Sequence, residues 1–170
     1  MISQHQIDET VSRDELKQFG AFVLQYVHGD ELPDYKAMDL MQIPKLVPHI
    51  WVYDLRTEKG RQRLLNNFIG SHIDESWHTN LQGTYDMDFC DGNPVLEEVG
   101  RHRHCCIENR RVGYSRRYIE YRKSNGCMTL KSAECLIFSC ATNNGPVNWA
   151  IGCAVYEPTQ YTGKNVFKKF

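Results

Sequence analysis

The last third of the chain constrains the fold most. Three β-prone stretches, GYSRRYIEYR (113–122), CMTLKSAECLIFSCA (127–141) and PVNWAIGCAVY (146–156), are separated only by Ser124-Asn125-Gly126 and Asn143-Asn144-Gly145. Asn-Gly is suited to the left-handed turns of tight hairpins. Connections this short join antiparallel neighbours, because parallel strands need a long crossover. In the third stretch Val147, Trp149, Ile151, Cys153 and Val155 alternate with Asn148, Ala150, Gly152 and Ala154. One face of that strand is bulky and the other small, and the small face lets another backbone or helix come close.

A second hairpin lies upstream. IWVYDLR (50–56) is rich in β-branched and aromatic residues, TEKG reads as a turn, and RQRLLNNFIG (61–70) returns. Between the two groups of strands the pattern is helical. Ser71 opens a short helix to His78 with Asp74 three residues on, and Asn93-Pro94 starts a longer one that runs to about Glu108. Residues 34–49 read as short helical pieces punctuated by Pro44 and Pro48.

At the other end, Ser12-Arg13-Asp14-Glu15 has the pattern of a capping box. It predicts a helix over 12–28, closed by Gly29, with Leu16, Phe19, Val23, Tyr26 and Val27 on one stripe. Phe22 and Leu24 lie off that stripe, as in a helix that packs both on its own domain and on a second subunit. The expected fold is α+β, with a five-stranded antiparallel sheet, short helices on one face and an N-terminal helix.

At 170 residues the chain is long enough for one domain with a real core. A net charge of −1 gives no global attraction to nucleic acid or membrane. The N-terminus lacks an apolar signal region, and no apolar run approaches a membrane span, so we expect a cytoplasmic protein without membrane insertion. The seven cysteines include no C-x-x-C pair, which fits reduced thiols.

Residues 102–106, His-Arg-His-Cys-Cys, invite a metal reading that helical geometry opposes. Turning about 100° per residue puts Val95, Val99, His102 and Cys106 on one face, with His104 nearly opposite and facing solvent. Four ligands do not converge from there. The ordinary reading places His102 and Cys106 against the core; a redox switch at Cys105 or Cys106 beside Arg101, Arg103 and Arg110 is the alternative.

No P-loop, dinucleotide fingerprint, zinc-protease motif or nucleophile elbow occurs, so we expect no enzyme. Glu134, in an apolar strand, needs a partner: either a structural contact or a role as polar anchor in a pocket. The run RRVGYSRRYIEYRK mixes Arg with Tyr as nucleic-acid surfaces do, but Arg116 and Arg117 point to opposite faces of a strand, which disfavours one basic patch.

The strand–helix–strand order resembles that of PAS sensor domains. AMDLMQIPKLVPHIWVYDL is similar to the opening of single-domain bacterial PAS proteins, mainly alphaproteobacterial. FIGSHIDESWHTNLQG, with Gly70 and Gly83, SAECLIFSC and VNWAIGCAVYEP resemble their later segments, over residues 35–157 in all. The chain departs from that family at His78, where Gly is frequent, and at Ser139, where Pro is frequent.

The resemblance implies a sheet cupped by helices, which holds a small ligand or is filled with side chains. It also implies a sensory or signalling module that acts on a protein partner and dimerises through the helix before the first strand. Residues 1–34 would then be a helical extension and 158–170 a basic tail. Expected pocket residues are Phe68, Trp77, Tyr85, Tyr118, Glu134, Leu136, Trp149 and Ile151; expected homodimer residues are Leu16, Phe19, Phe22, Val23 and Tyr26. No cofactor or metal is assigned, and an unknown small molecule is the expected ligand. The competing readings are an interaction adaptor with a filled core, a haem sensor using His102, and a nucleic-acid binder.

Overall fold

The computed structural model describes residues 2–89, 92–122, 128–142 and 145–170. The Ser124-Asn125-Gly126 turn and residues Asn143 and Asn144 lie outside them. The fold is α+β. Six strands form one open antiparallel sheet: β1 (Ile50–Glu58), β2 (Arg61–Ile69), β3 (Gly113–Arg122), β4 (Met128–Ala141), β5 (Val147–Thr159) and β6 (Val166–Lys169), in the order β2-β1-β5-β4-β3-β6. The helices are α1 (Gln4–Thr10), α2 (Asp14–Leu24), α3 (Ser71–Trp77) and α4 (Pro94–Glu108). Among the described residues no helix is long and apolar enough to cross a membrane.

Several expected elements form for the expected reasons. The β1–β2 turn places Lys59 and Gly60 at positive φ, as a tight hairpin requires. Residues 34–49 make three 3₁₀ turns, two of them capped by the Asp34 and Asp39 side chains. The Asn93 carboxamide accepts from the amides of Val95 and Leu96 at 3.0 and 3.3 Å, and Pro94 follows it at the start of α4. Helix α3 forms where expected but not through a Ser71 cap, since its N-cap is Gly70 without a side-chain bond, and it closes on His78 in the left-handed region, φ +53°.

Four features extend or change the expectation. The tail is not free: β6 pairs with Gly113–Arg116 of β3 and makes the sheet six-stranded rather than five-stranded. The N-terminal helices add a layer whose side the sequence did not assign: α3 and α4 share one face of the sheet as expected, and α1 and α2 cover the other. Ser12 caps nothing. Helix α2 begins after Arg13 without a side-chain cap, and the Ser12 amide and hydroxyl both bond the Glu134 carboxylate instead, the amide at 2.7 Å. The capping box that does form is Ser3 with Gln6, on α1.

The fourth change concerns the dimer stripe. Leu16, Phe19, Phe22 and Val23 are buried against the chain's own sheet, with Phe19 edge-on to Phe138 at 5.9 Å, and Tyr26 packs beside Phe22. A homodimer built on these residues would have to pull α2 off the core it completes. Their second packing surface is α1, whose Ile7 lies against Gly20.

On the opposite face the small side of β5 is filled by a side chain, not a helix backbone. The Trp51 indole lies across Gly152 so closely that a Cβ there would come within 2.2 Å of it. Any larger residue at 152 would displace the ring.

Candidate functional site

Beneath α3 and α4 the small β5 face and its neighbours leave a cavity of about 50 Å³. Trp51 and Tyr53 of β1, Asn66 and Ile69 of β2, Arg117 of β3 and Tyr156 of β5 form its sheet side. Ile73 and Trp77 of α3, Leu81, Asp86, and Leu96, Val99, Gly100 and Arg103 of α4 form the cover. The α4 residues fall at spacings of three, four and seven, one helical face turned inward.

A β-bulge shapes this lining. Val52 pairs with Phe68 but Tyr53 pairs with Asn66, so Asn67 is the extra residue. Residues 66 and 68 would otherwise share a face; the bulge sends Phe68 to the α2 side and Asn66 into the cavity. The Asn66 carboxamide donates to Thr84 Oγ1 at 3.0 Å, which ties the loop before Asp86 to the sheet.

Two guanidinium groups dominate the electrostatics. Arg103 donates to the Tyr53 hydroxyl at 2.6 Å and sits 4.9 Å from the Trp51 ring centre. Burial opposes its charge, but the ring of polar groups around it raises its pKa overall. Burial likewise drives the Tyr53 hydroxyl well above its ordinary value, so it stays protonated.

Arg117 is 1% exposed. It donates to Ser115 Oγ at 2.8 Å, to Cys135 Sγ at 3.0 Å and to the Tyr156 hydroxyl at 3.4 Å, none of them a carboxylate. Its Nε and the Trp51 Nε1 are buried without an acceptor among the described residues.

The one carboxylate among the described lining residues, Asp86, faces His104 at 3.3 Å. His104 is therefore turned toward a buried acid, not toward solvent as its helical position suggested. The Asp86 contact raises the imidazole pKa against the opposing effect of burial.

Of the expected pocket residues, Trp77 alone lines the cavity, edge-on to Tyr156 at 5.7 Å. The sheet stands between it and most of the others. Leu136, Ile151, Phe68 and Trp149 belong to the α2 side, where Trp149 stacks on Tyr35 at 4.9 Å. Tyr85 sits at the β1–β2 edge, its hydroxyl on Glu58 and its ring under Arg63. Tyr118 and Glu134 share a polar recess with Ser12, Arg13 and Arg116, away from the cavity. Glu134 is a structural anchor there: it accepts from Ser12 and, at 3.1 Å, from the Tyr114 hydroxyl.

Sequence reading missed Trp51, Tyr53, Arg103 and Arg117. The signal was present for the last: a central-strand arginine on the same alternating face as Ser115 and Ile119 is either paired or functional.

The His-Arg-His-Cys-Cys stretch splits three ways. His102 turns from the cavity to β6, its ring 5.2 Å from Phe167 and its Nε2 3.7 Å from Cys106 Sγ. Burial and neighbouring cations press the His102 pKa down to about 4, and burial lifts that of Cys106 to about 12. Both stay neutral at pH 7. Cys105 accepts from Lys169 of β6 at 2.9 Å. No group of three metal-binding side chains occurs among the described residues.

No protein-family model matches the chain, and no curated protein matches it.

Proposed function

We propose that the chain is a PAS-type sensory module that takes a small molecule into the cavity beneath α3 and α4 and passes its state to a protein partner in the cytoplasm. The observation that carries this reading is the cavity itself, a partly open recess lined by aromatic and aliphatic side chains with a few convergent polar groups. Ligand sites are built that way. The order of two strands, a helical middle and three strands supports the PAS likeness. So does His78, whose left-handed backbone suits the glycine frequent at that position in those proteins.

Helix α4 is the natural carrier of the signal. Arg103 lines the cavity, while His102 and Cys105 of the same helix contact Phe167 and Lys169 of β6. A ligand that favours one position of Arg103 favours one position of α4, and β6 at the sheet edge reports it by a shift in population. His102 lies on the β6 side of α4, so the haem reading lacks its ligand in the cavity. Arg116 is exposed and Arg117 buried, so the basic run makes no continuous nucleic-acid surface.

Mass spectrometry of freshly purified protein, native against denatured, tests the reading. Extra mass released on denaturation, or a saturable rise in melting temperature with a small metabolite, is the expected result. A bare polypeptide mass together with no response across a chemically diverse metabolite set would favour the adaptor with a filled core.

A further inference from the structure

We infer that the cavity takes a compact organic carboxylate, held by Arg117 and Arg103 with its apolar body against Trp51, Trp77 and Tyr156. The inference rests on the sensory reading above and names the ligand class of the same cavity. Charge balance is the first argument. Two guanidinium groups line a space in which, among the described residues, Asp86 is the one carboxylate, and Asp86 is engaged with His104. Among the described residues neither arginine has a carboxylate within 4.0 Å. A buried cation without a counter-charge is costly to the fold, and chains that keep one generally use it.

The two arginines are not equally satisfied. Arg103 has the Trp51 and Tyr53 rings around it and a good hydrogen bond. Among the described residues Arg117 reaches two hydroxyls and a cysteine sulfur but no carboxylate, and its Nε reaches no acceptor. Nε and a terminal nitrogen form the edge of a guanidinium that matches a carboxylate with two parallel bonds. Arg117 is thus the principal anchor and Arg103 the second.

Size sets the rest. Fifty Å³ holds a few atoms beyond water, so flavin, haem and nucleotides do not fit without rebuilding the cover. The walls are aromatic and aliphatic apart from the arginines, Asn66 and Asp86, which suits an acid with a short apolar body better than a fully hydrated oxyanion. Lys131, buried with its ammonium 5.3 Å from the Trp77 ring, adds positive potential nearby.

The test uses the full chain and matched probes at constant ionic strength: acetate, propionate and butyrate, their amides, and inorganic phosphate. Melting temperature and the indole NMR signals are read for each. At least one carboxylate should give a saturable shift that its amide does not, and Arg117→Met should weaken that binding about tenfold or more. Should Arg117→Met fail to fold, the acid–amide comparison on the unaltered protein still decides.

Amides binding as tightly as acids, or phosphate binding where no carboxylate does, would overturn the carboxylate while leaving the cavity as a sensor site. Unchanged carboxylate affinity in folded Arg117→Met would overturn the anchor. Silence from acids, amides and phosphate alike would overturn it too, and a neutral ligand released on denaturation would show that the sensory reading had survived alone.

Discussion

The two faces of the sheet are built to opposite specifications. On the α1–α2 face, Ile50, Val52, Leu136, Phe138, Ile151 and Cys153 meet Ile7, Leu16, Phe19 and Val23 in one apolar layer. On the α3–α4 face the same strands present Ala133, Ala150, Gly152 and Ala154, and the space they leave is shared by Trp51, two arginines, an aspartate and a void. Close packing removes apolar area from water and stabilises the chain. Small residues beside charged ones do the reverse locally and create room. One face holds the protein together so that the other can stay imperfect.

That contrast breaks most visibly under truncation. Phe19→Ala should cost about 3–5 kcal/mol in urea unfolding, because it removes a fully buried ring from the apolar layer and leaves a void there. Leu96→Ala, at the edge of an existing cavity and partly exposed, should cost only about 1 kcal/mol. Equal losses would mean that the two faces are packed alike.

Glu134→Gln comes next, at about 1–3 kcal/mol. It replaces a carboxylate that accepts from the Ser12 amide, the Ser12 hydroxyl and Tyr114 with a group that also donates. Hydrogen exchange should show the 1–24 segment loosening from the sheet ahead of the strands. Unchanged protection of that segment would sink the anchor role.

Arg117→Met sharpens the comparison from the other side. A polar network on which the fold depends would lose several kcal/mol, whereas an under-satisfied buried cation should cost less than about 1 kcal/mol or even stabilise when replaced by a side chain of similar volume. The expected outcome is a melting temperature within a few degrees of the parent.

The smallest effect separates two histidines on one helix. The folded pKa of His102, about 4, lies below its ordinary 6.5. The unfolded chain therefore binds the extra proton first, and stability falls on the order of 1–2 kcal/mol as pH drops from 6.5 toward 4. His104 has the opposite sign. Its raised pKa adds stability that is full below 6.5 and is lost as pH rises through the folded value. Denaturation across pH 4–8 should show His102→Gln flattening the acid limb and His104→Gln lowering stability only toward acid.

Much of the fold was legible in advance. Asn93-Pro94 marked α4, the β1–β2 hairpin followed from its residues, and β3, β4 and β5 were found within one to three residues of their ends. Helix α1 was missed because Ile7 is the one buried residue in a polar run. β6 was missed because four residues with two lysines carry too little alternation to announce a strand. Of the residues expected to wall one pocket, Trp77 lines the cavity beneath α3 and α4, while Leu136, Trp149 and Ile151, chosen with it as aromatic and aliphatic wall residues, lie on the other face of the sheet.

Alternation along a strand determines that a sheet has two unlike faces, and here the sequence by itself determined that much, together with the turns and the main helices. It does not say which face each helix covers. That depended on where α1 and α2 found enough apolar area to bury, on a bulge at Asn67 that turns Asn66 inward, and on a glycine that lets one indole lie flat across β5. Each is a contact between residues far apart in the chain, formed only once the layers close. The arginine pair is the clearest instance: thirteen residues lie between Arg103 and Arg117 in the sequence, and only the docking of α4 on the sheet brings both to one cavity.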